Sequence, residues 1–577
     1  MRSRSWALLI ALLVLVPTAA AFHQPDKPKN NPNDRGGQHH QGGSVPTVGS
    51  HTIRAGEFGN WSDGTYKFTG KVTIESGGLA LVSNASALFA SGSNGFHVLA
   101  GGTLRILDST LQPESLSSSY RVVADPGSHL RLDGAHLKGG QGASIATELA
   151  IVTGNTFEAI PLAVHLLHTS ITLSGNTFLA NGVGVNQTGG FPVLRGNTFE
   201  GGTYCIRDWY SDPTIDGNRL VGCSYGIWHE RSESIITNNE IVDKADPPGT
   251  GISVVDTMSP IIGGNDISNW GTGILIRNAR GFVRDNTIHG NVFDGVRIEG
   301  NAAPMDITGN TIRGNGRDGV RLVGASSIPV EGNVITGNAG HGVYGEGVSN
   351  VTILSNTIAG NGGDGVRLAS GSALVVENNL AESNGASGFA LGAGVSNARL
   401  SKNTAASNAL DGFSIAGADL VLETGEARSN GRDGFSIADA ARITAHEPTS
   451  EANGGAGFRV ANVERATLVK PVASGNQDGF AVEVGCRDLV LDGPKGHGNA
   501  RDGLRNAAGA TSALRGSWVG NGEFGVRNLD ATSKVDARHG WWGASTGPRH
   551  ALNPLGTGDR VSDGVTYVPY ATSPPAD

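Results

Sequence analysis

Residues 286–299 read Asn286-Thr287-Ile288-His289-Gly290-Asn291-Val292-Phe293-Asp294-Gly295-Val296-Arg297-Ile298-Glu299, and the two marks within them recur along most of the chain. The first mark, Gly-Asn-Thr followed by Phe or Ile and its variants, puts asparagines at 155, 176, 197, 218, 239, 265, 286, 310, 333, 356 and 379. The steps are 21 residues four times, 26 once, and then 21 to 24. The second mark is a glycine followed by an aliphatic or aromatic residue, often as Asp-Gly-Val or Asp-Gly-Phe, at the same period from Gly226 to Gly525. Between the marks the chain alternates: Val296 and Ile298 point one way, Arg297 and Glu299 the other, which is strand periodicity. A unit of 21 to 24 residues with two or three short strands is one coil of a solenoid, and neither a leucine-rich spacing nor a 3.6 period competes with it.

The expected fold is therefore all-β, a single-stranded right-handed parallel β-helix of about twenty coils, roughly 90–100 Å long at strand spacing. Residues 70–540 form the helix, 51–69 an N-terminal cap and 541–577 a closing segment, since open coil ends would otherwise pair with other molecules. The asparagines, with a second column from Asn291 to Asn521, are expected to stack as amide ladders. The Asp column (Asp294, Asp318, Asp364, Asp411, Asp433, Asp478, Asp502) also invites a calcium reading. Asp-Gly is, however, a standard turn pair in which Asp bonds its own backbone and Gly takes positive φ, so a structural role is preferred.

Composition agrees. The chain has 577 residues with 88 glycines, 38% hydrophobic and 16% charged residues, which fits neither collagen nor disorder. Residues 1–21, with Arg2, Arg4, an apolar run from Trp6 to Val16 and a small-residue site at Ala19-Ala20-Ala21, read as a signal peptide, and 22–50 as a disordered spacer. No later segment is apolar enough to cross a membrane. A formal charge of −9 argues against nucleic acid. Cys205 and Cys223 lie one coil apart, offset by three residues, so the spacing permits a disulfide without requiring one, and Cys486 is left over. Four Asn-X-Ser/Thr sequons begin at Asn60, Asn84, Asn186 and Asn350.

With these repeats the chain resembles right-handed β-helix repeat proteins of the NosD-like and carbohydrate-binding/sugar-hydrolase type, in the pectate-lyase-like superfamily. The closing Trp541-Trp542-Gly543 resembles the end of many secreted β-helix proteins. That resemblance implies architecture and a secreted, cell-surface or periplasmic location, and leaves the reaction open. Its NosD side implies a copper-related role. The chain offers few soft ligands for one, beyond a His23 that would be third if cleavage followed Ala20.

One stretch departs from the repeat. Tyr204-Cys205-Ile206-Arg207-Asp208-Trp209-Tyr210 and, 21 residues on, Tyr225-Gly226-Ile227-Trp228-His229-Glu230-Arg231 concentrate aromatic and ionisable groups. A period of 21 sets Arg207 beside Trp228, Asp208 beside His229 and Trp209 beside Glu230. Aromatic faces suit sugar rings, and a carboxylate with an imidazole suits proton transfer. The segment resembles the Tyr-Gly-Phe-Asp-Pro-His-Glu motif of mannuronan C5-epimerases, though one residue shorter and with Trp228 in place of Asp-Pro. That resemblance implies Tyr225 and His229 as an acid/base pair, Asp208 assisting, and Arg207 or Arg231 facing a uronate carboxylate. Trp209, Tyr210, Trp228 and Glu230 would line the sugar, and the lengthened loop 243–249 would wall the groove.

Two residues after each turn glycine (one after the inward aliphatic) runs an outward row in which seven of sixteen positions are arginine. Arg297, Arg321 and Arg367 of this row are candidate contacts for the carboxylates or sulfates of an acidic polysaccharide. Two readings stay open: an extracellular protein that binds an acidic polysaccharide, with β-elimination or C5 epimerisation as the chemistry if it is an enzyme, and a non-catalytic scaffold or adhesin. No metal site is assigned.

Overall fold

The computed structural model describes residues 44–575 apart from 93, 244–247, 301–303, 508 and 510. The expected signal peptide, most of the expected spacer and His23 lie outside the described residues. Residues from Pro46 onward form one unit, a right-handed parallel β-solenoid of about 21 turns.

Each coil carries three strands. In one of them, Thr287–His289 lies in sheet 1, Val296–Glu299 in sheet 2 and Met305–Thr308 in sheet 3. Each strand pairs in parallel with its counterpart one coil on, Thr287 with Thr311, Arg297 with Arg321 and Ile307 with Val330. Alternation fills the lumen with one side of every strand. Ile241, Ile267, Ile288, Ile312, Ile335 and Ile358 stack as a fully buried column. Phe389, Phe413, Phe435, Phe458 and Phe480 stack likewise, with ring centres 4.6–5.1 Å apart.

Both asparagine columns are buried ladders. Asn333 donates its side-chain N–H to Asn356 Oδ1 at 3.0 Å and to the Ile307 carbonyl at 2.9 Å, while its own Oδ1 accepts from Asn310. Each amide thus ties three coils in a setting where an unpaired polar group is costly. The residue before the first ladder turns the corner in the left-handed region, which explains Gly154, Gly175, Gly196 and Gly217 at φ of 60–64°.

The Asp-Gly turns work differently from the sequence expectation. Gly319 has no positive φ; a Cβ there would lie 2.4 Å from Ile335 Cγ2 and 2.9 Å from Asn338 Nδ2, so the coils approach too closely for a side chain. The aspartates reach along the axis, not to their own backbone: Asp318 Oδ1 accepts the His341 N–H at 2.8 Å and Asp364 Oδ1 the Ser387 N–H at 2.8 Å.

The helix also begins earlier than expected. Thr47–Val48, His51–Ile53 and Phe58–Ser62 pair in parallel with Lys67–Phe68, Val72–Ile74 and Leu79–Ser83. The end of the expected spacer and the expected cap are therefore a first coil, because their alternating side chains already fill the lumen. At the other end the closing segment folds over the last coil. Trp542 is fully buried, and Asp559 Oδ2 accepts from the backbone and side-chain N–H of Asn521, a carboxylate ending the amide ladder.

Candidate functional site

The aromatic cluster lies on two strands, Thr198–Trp209 and Arg219–Glu230, each running through sheets 1 and 2. Their register is Arg207 against Trp228, Asp208 against His229 and Trp209 against Glu230. A disulfide between Cys205 and Cys223, with Cα atoms 5.8 Å apart, staples the two coils.

Strand parity then splits the cluster. Ile227 points into the lumen, so Trp228 points out and His229 in again. Asp208 and His229 have no exposed surface. His229 Nδ1 lies 2.6 Å from Asp208 Oδ2, and its Nε2 faces the Ser232 carbonyl at 2.8 Å and Ser234 Oγ at 3.2 Å. Asp208 Oδ1 accepts from the Ser211 hydroxyl. Burial pushes the Asp208 carboxyl up, against the pull of its bonds to His229 and Ser211. Both ring nitrogens face acceptors, so the pair holds a proton at Nδ1–Oδ2 and donates Nε2–H to the backbone. The structure therefore corrects the expected acid/base pair: Tyr225 and His229 stand on opposite sides of the sheet, and neither His229 nor Asp208 can touch a ligand outside.

The outer side keeps the rest. Tyr204 and Tyr225 stack with ring centres 4.9 Å apart, and Trp228 sets its edge against them at 6.2 and 5.4 Å. Trp228 Nε1 points to Glu230 Oε2 at 3.4 Å. The Arg207 guanidinium lies 5.7 Å from the centre of the Tyr204 ring. Toward sheet 3, Trp209 and Tyr210 are 44% and 53% exposed with ring centres 5.2 Å apart, and Arg231 Nη1 donates to the Tyr210 hydroxyl at 2.9 Å. The loop expected to wall the groove has residues 244–247 outside the described residues. Tyr204, not counted among the candidates from sequence, is as central as Tyr225; it sits one period earlier, which is the signal that marks it.

The arginine row is continuous but not uniform. Arg297, Arg321 and Arg367 follow one another along the outer face of sheet 2, with Tyr344 between the last two. From Arg297 onward each arginine of the row meets a carboxylate. Arg297 is 2.6 Å from Glu299, Arg321 2.7 Å from Asp318, Arg367 3.6 Å from Asp364, Arg459 3.9 Å from Glu483, Arg505 2.5 Å from Glu483 and Arg527 2.8 Å from Glu523. For Arg297, Arg321 and Arg367 one partner is the turn aspartate three residues earlier, buried at its carboxylate. At Arg207 that position is Tyr204, and no described carboxylate pairs with it. Arg297, Arg321 and Arg367 thus serve the turns, Arg459, Arg505 and Arg527 are paired with glutamates, and Arg207 alone in this row has no described carboxylate partner, only the Tyr204 ring beside it.

Among the described residues no three of His, Cys, Asp and Glu gather closely enough to hold a metal ion, and no helix is long and apolar enough to cross a membrane.

A family model described as right handed beta helix region matches residues 250–405, and one described as periplasmic copper-binding protein (NosD) matches residues 115–295. No curated protein matches the sequence. Among solved structures, a mutant of the periplasmic alginate epimerase AlgG is 14% identical, covering 59% of this chain and 78% of its own, with a TM-score of 0.31. The A-module of Azotobacter vinelandii mannuronan C-5 epimerase AlgE4 is 13% identical, covering 79% and 86%, with a TM-score of 0.18. PfbA, a surface adhesin of Streptococcus pneumoniae, is 11% identical, covering 66% and 84%, with a TM-score of 0.20. At these identities no residue role passes from them to this chain.

Proposed function

We propose that this right-handed parallel β-helix protein is an extracellular or periplasmic binder of acidic polysaccharide, which lays the glycan across the outer face of sheet 2 at Tyr204, Arg207, Tyr225 and Trp228. The observation that carries the reading is Arg207: a guanidinium with no carboxylate partner among the described residues, beside stacked rings, in a row whose later arginines are all paired with carboxylates. Rings supply apolar faces for the sugar, and a guanidinium can take a carboxylate in a bidentate fork. The Cys205–Cys223 disulfide suits an oxidising compartment.

Binding is favoured over catalysis, because the only carboxylate–imidazole pair of the cluster is locked in the lumen. The test is a titration of uronate oligomers and neutral oligomers of equal length into wild type, Arg207→Gln and Trp228→Ala, with unsaturated-product absorbance and C5 proton exchange followed in parallel. Binding of the uronate that both variants weaken, without turnover, supports the proposal. Uronate binding indifferent to both variants contradicts the site, and turnover that survives in them contradicts the binding-only role.

A further inference from the structure

A second feature of the same face stands nearer the N-terminus. Lys71 and Arg121 flank Gly95 in the register of sheet 2. Neither cation pairs with a carboxylate among the described residues, and Asp125, just past the end of the strand Tyr120–Ala124 that carries Arg121, is engaged by His97 Nε2 at 2.9 Å. Gly95, at φ 124°, cannot be replaced: a Cβ would lie 2.0 Å from the Arg121 carbonyl oxygen. The floor between the two cations is therefore bare, and with Asn94 and Gln141 they border a hollow of about 330 Å³, at the lower end of ligand-sized cavities.

The hollow is aligned with Arg207. Val123, two residues after Arg121, leads through Ser144, His165 and Asn186 to Arg207 in four coil steps of one outward row. At strand spacing that is about 19 Å. None of the intervening residues is acidic. His165, midway, is partly buried, and that burial, helped by the charge of Arg121, holds its imidazole below the ordinary value.

We infer that the Lys71–Gly95–Arg121 hollow is a second anion-binding subsite, which takes a carboxylate or sulfate group of a glycan whose other end lies at Arg207. The inference rests on the glycan reading for its ligand but not on the aromatic site for its geometry. Two exposed cations, one coil to either side of a bare glycine, can converge on a single anionic group. The polar track between them and Arg207 gives a chain a path without like-charge repulsion. The partner is thus a polyanionic glycan long enough to reach both points, and a short oligomer would occupy one.

The experiment is calorimetric titration of short and long uronate oligomers, and of sulfated neutral oligomers of the same lengths, into wild type, Lys71→Ala/Arg121→Ala and Arg207→Gln/Trp228→Ala. Thermal melting confirms that these surface variants fold. Wild type should bind the long oligomers more tightly, and Lys71→Ala/Arg121→Ala should lose about tenfold for long oligomers. Its affinity for short oligomers held at Arg207 should not change. The uronate and sulfate arms show which group the hollow takes. Long-oligomer affinity unchanged in Lys71→Ala/Arg121→Ala overturns the subsite, as does a wild type that binds long and short alike or binds neither. Loss in that variant together with indifference to Arg207→Gln/Trp228→Ala would keep the hollow and overturn the aromatic site.

Discussion

Arg207 sits 5.7 Å from the centre of the Tyr204 ring, whereas Arg321, at the same position of its own coil, is 2.7 Å from Asp318. The two coils differ at one decisive place, the residue before the turn position, where Tyr204 replaces the aspartate. An aspartate there spends the cation on the turn. A tyrosine leaves the charge outward and gives it an aromatic neighbour, an arrangement worth about 0.5–1 kcal/mol at exposed sites. Arg207 is thereby left without the turn contact that holds Arg321.

Because His229 and Asp208 are buried and share a proton, breaking the pair should cost stability and spare binding. Asp208→Asn or His229→Gln is expected to destabilise by about 3–5 kcal/mol, the usual cost of orphaning one member of a buried charged pair. Replacing both by leucine should cost less than the sum of the singles. Denaturant unfolding of the four proteins checks this, and glycan affinity measured well below the melting point should stay within about twofold of wild type.

A ladder amide should be harder to remove than its size suggests. Asn333→Ala removes the side-chain donor to the Ile307 carbonyl and to Asn356 Oδ1, and the oxygen that accepts from the backbone and side-chain N–H of Asn310. The expected loss is about 2–3 kcal/mol, read from urea midpoints, because each buried orphan group keeps its desolvation cost. Gly319→Ala should be destabilising although Gly319 has an ordinary φ, since the strain comes from Ile335 and Asn338.

The last turn aspartate makes a prediction in pH. Burial, helped by the charge of Asp478, pushes the Asp502 carboxyl up to about 6. Its folded value lies above that of an unfolded chain, so the stability it contributes is present at low pH and is lost as pH rises from about 4 to about 6. Asp502→Asn should flatten that slope and raise stability at neutral pH by about 3 kcal/mol. Melting temperatures of both proteins across that window decide it; parallel curves would contradict the assignment.

The disulfide closes a loop of separation 18 between the two coils of the aromatic patch. Cys205→Ser/Cys223→Ser should lower stability by about 2–4 kcal/mol, read by thermal melting under non-reducing conditions.

Much of this was legible in the sequence, and the failures have physical causes. A period of 21 predicts the pairing of Arg207, Asp208 and Trp209 with Trp228, His229 and Glu230, because a solenoid converts sequence period directly into strand register. Which side each residue faces was also encoded, since Ile227 fixes His229 inward. The alternation is interrupted at the glycine corner before Ile227, so Tyr225 faces out although it has the same parity. The pairing of Arg297, Arg321 and Arg367 with aspartates three residues earlier was visible as Asp-Gly-Val-Arg, but arginine and aspartate columns read separately conceal it. Lys71 and Arg121 left no signal: the early coils lack the Asp-Gly mark, and only the folded register brings the two to either side of Gly95. For the same reason the first coil, from Thr47, was indistinguishable from a cap.

On the proposed reading Arg207, and not the later arginines, is the cation that holds an anionic sugar. Titration of one uronate oligomer into wild type, Arg207→Gln and Arg321→Gln, each at low and moderate salt, tests it most directly. Arg207→Gln should weaken binding about tenfold, or about 1.4 kcal/mol, and reduce its salt dependence. Arg321→Gln should leave the affinity unchanged and lower the melting temperature. Equal losses of affinity in the two variants, or none in Arg207→Gln, would rule Arg207 out as the anion-binding cation.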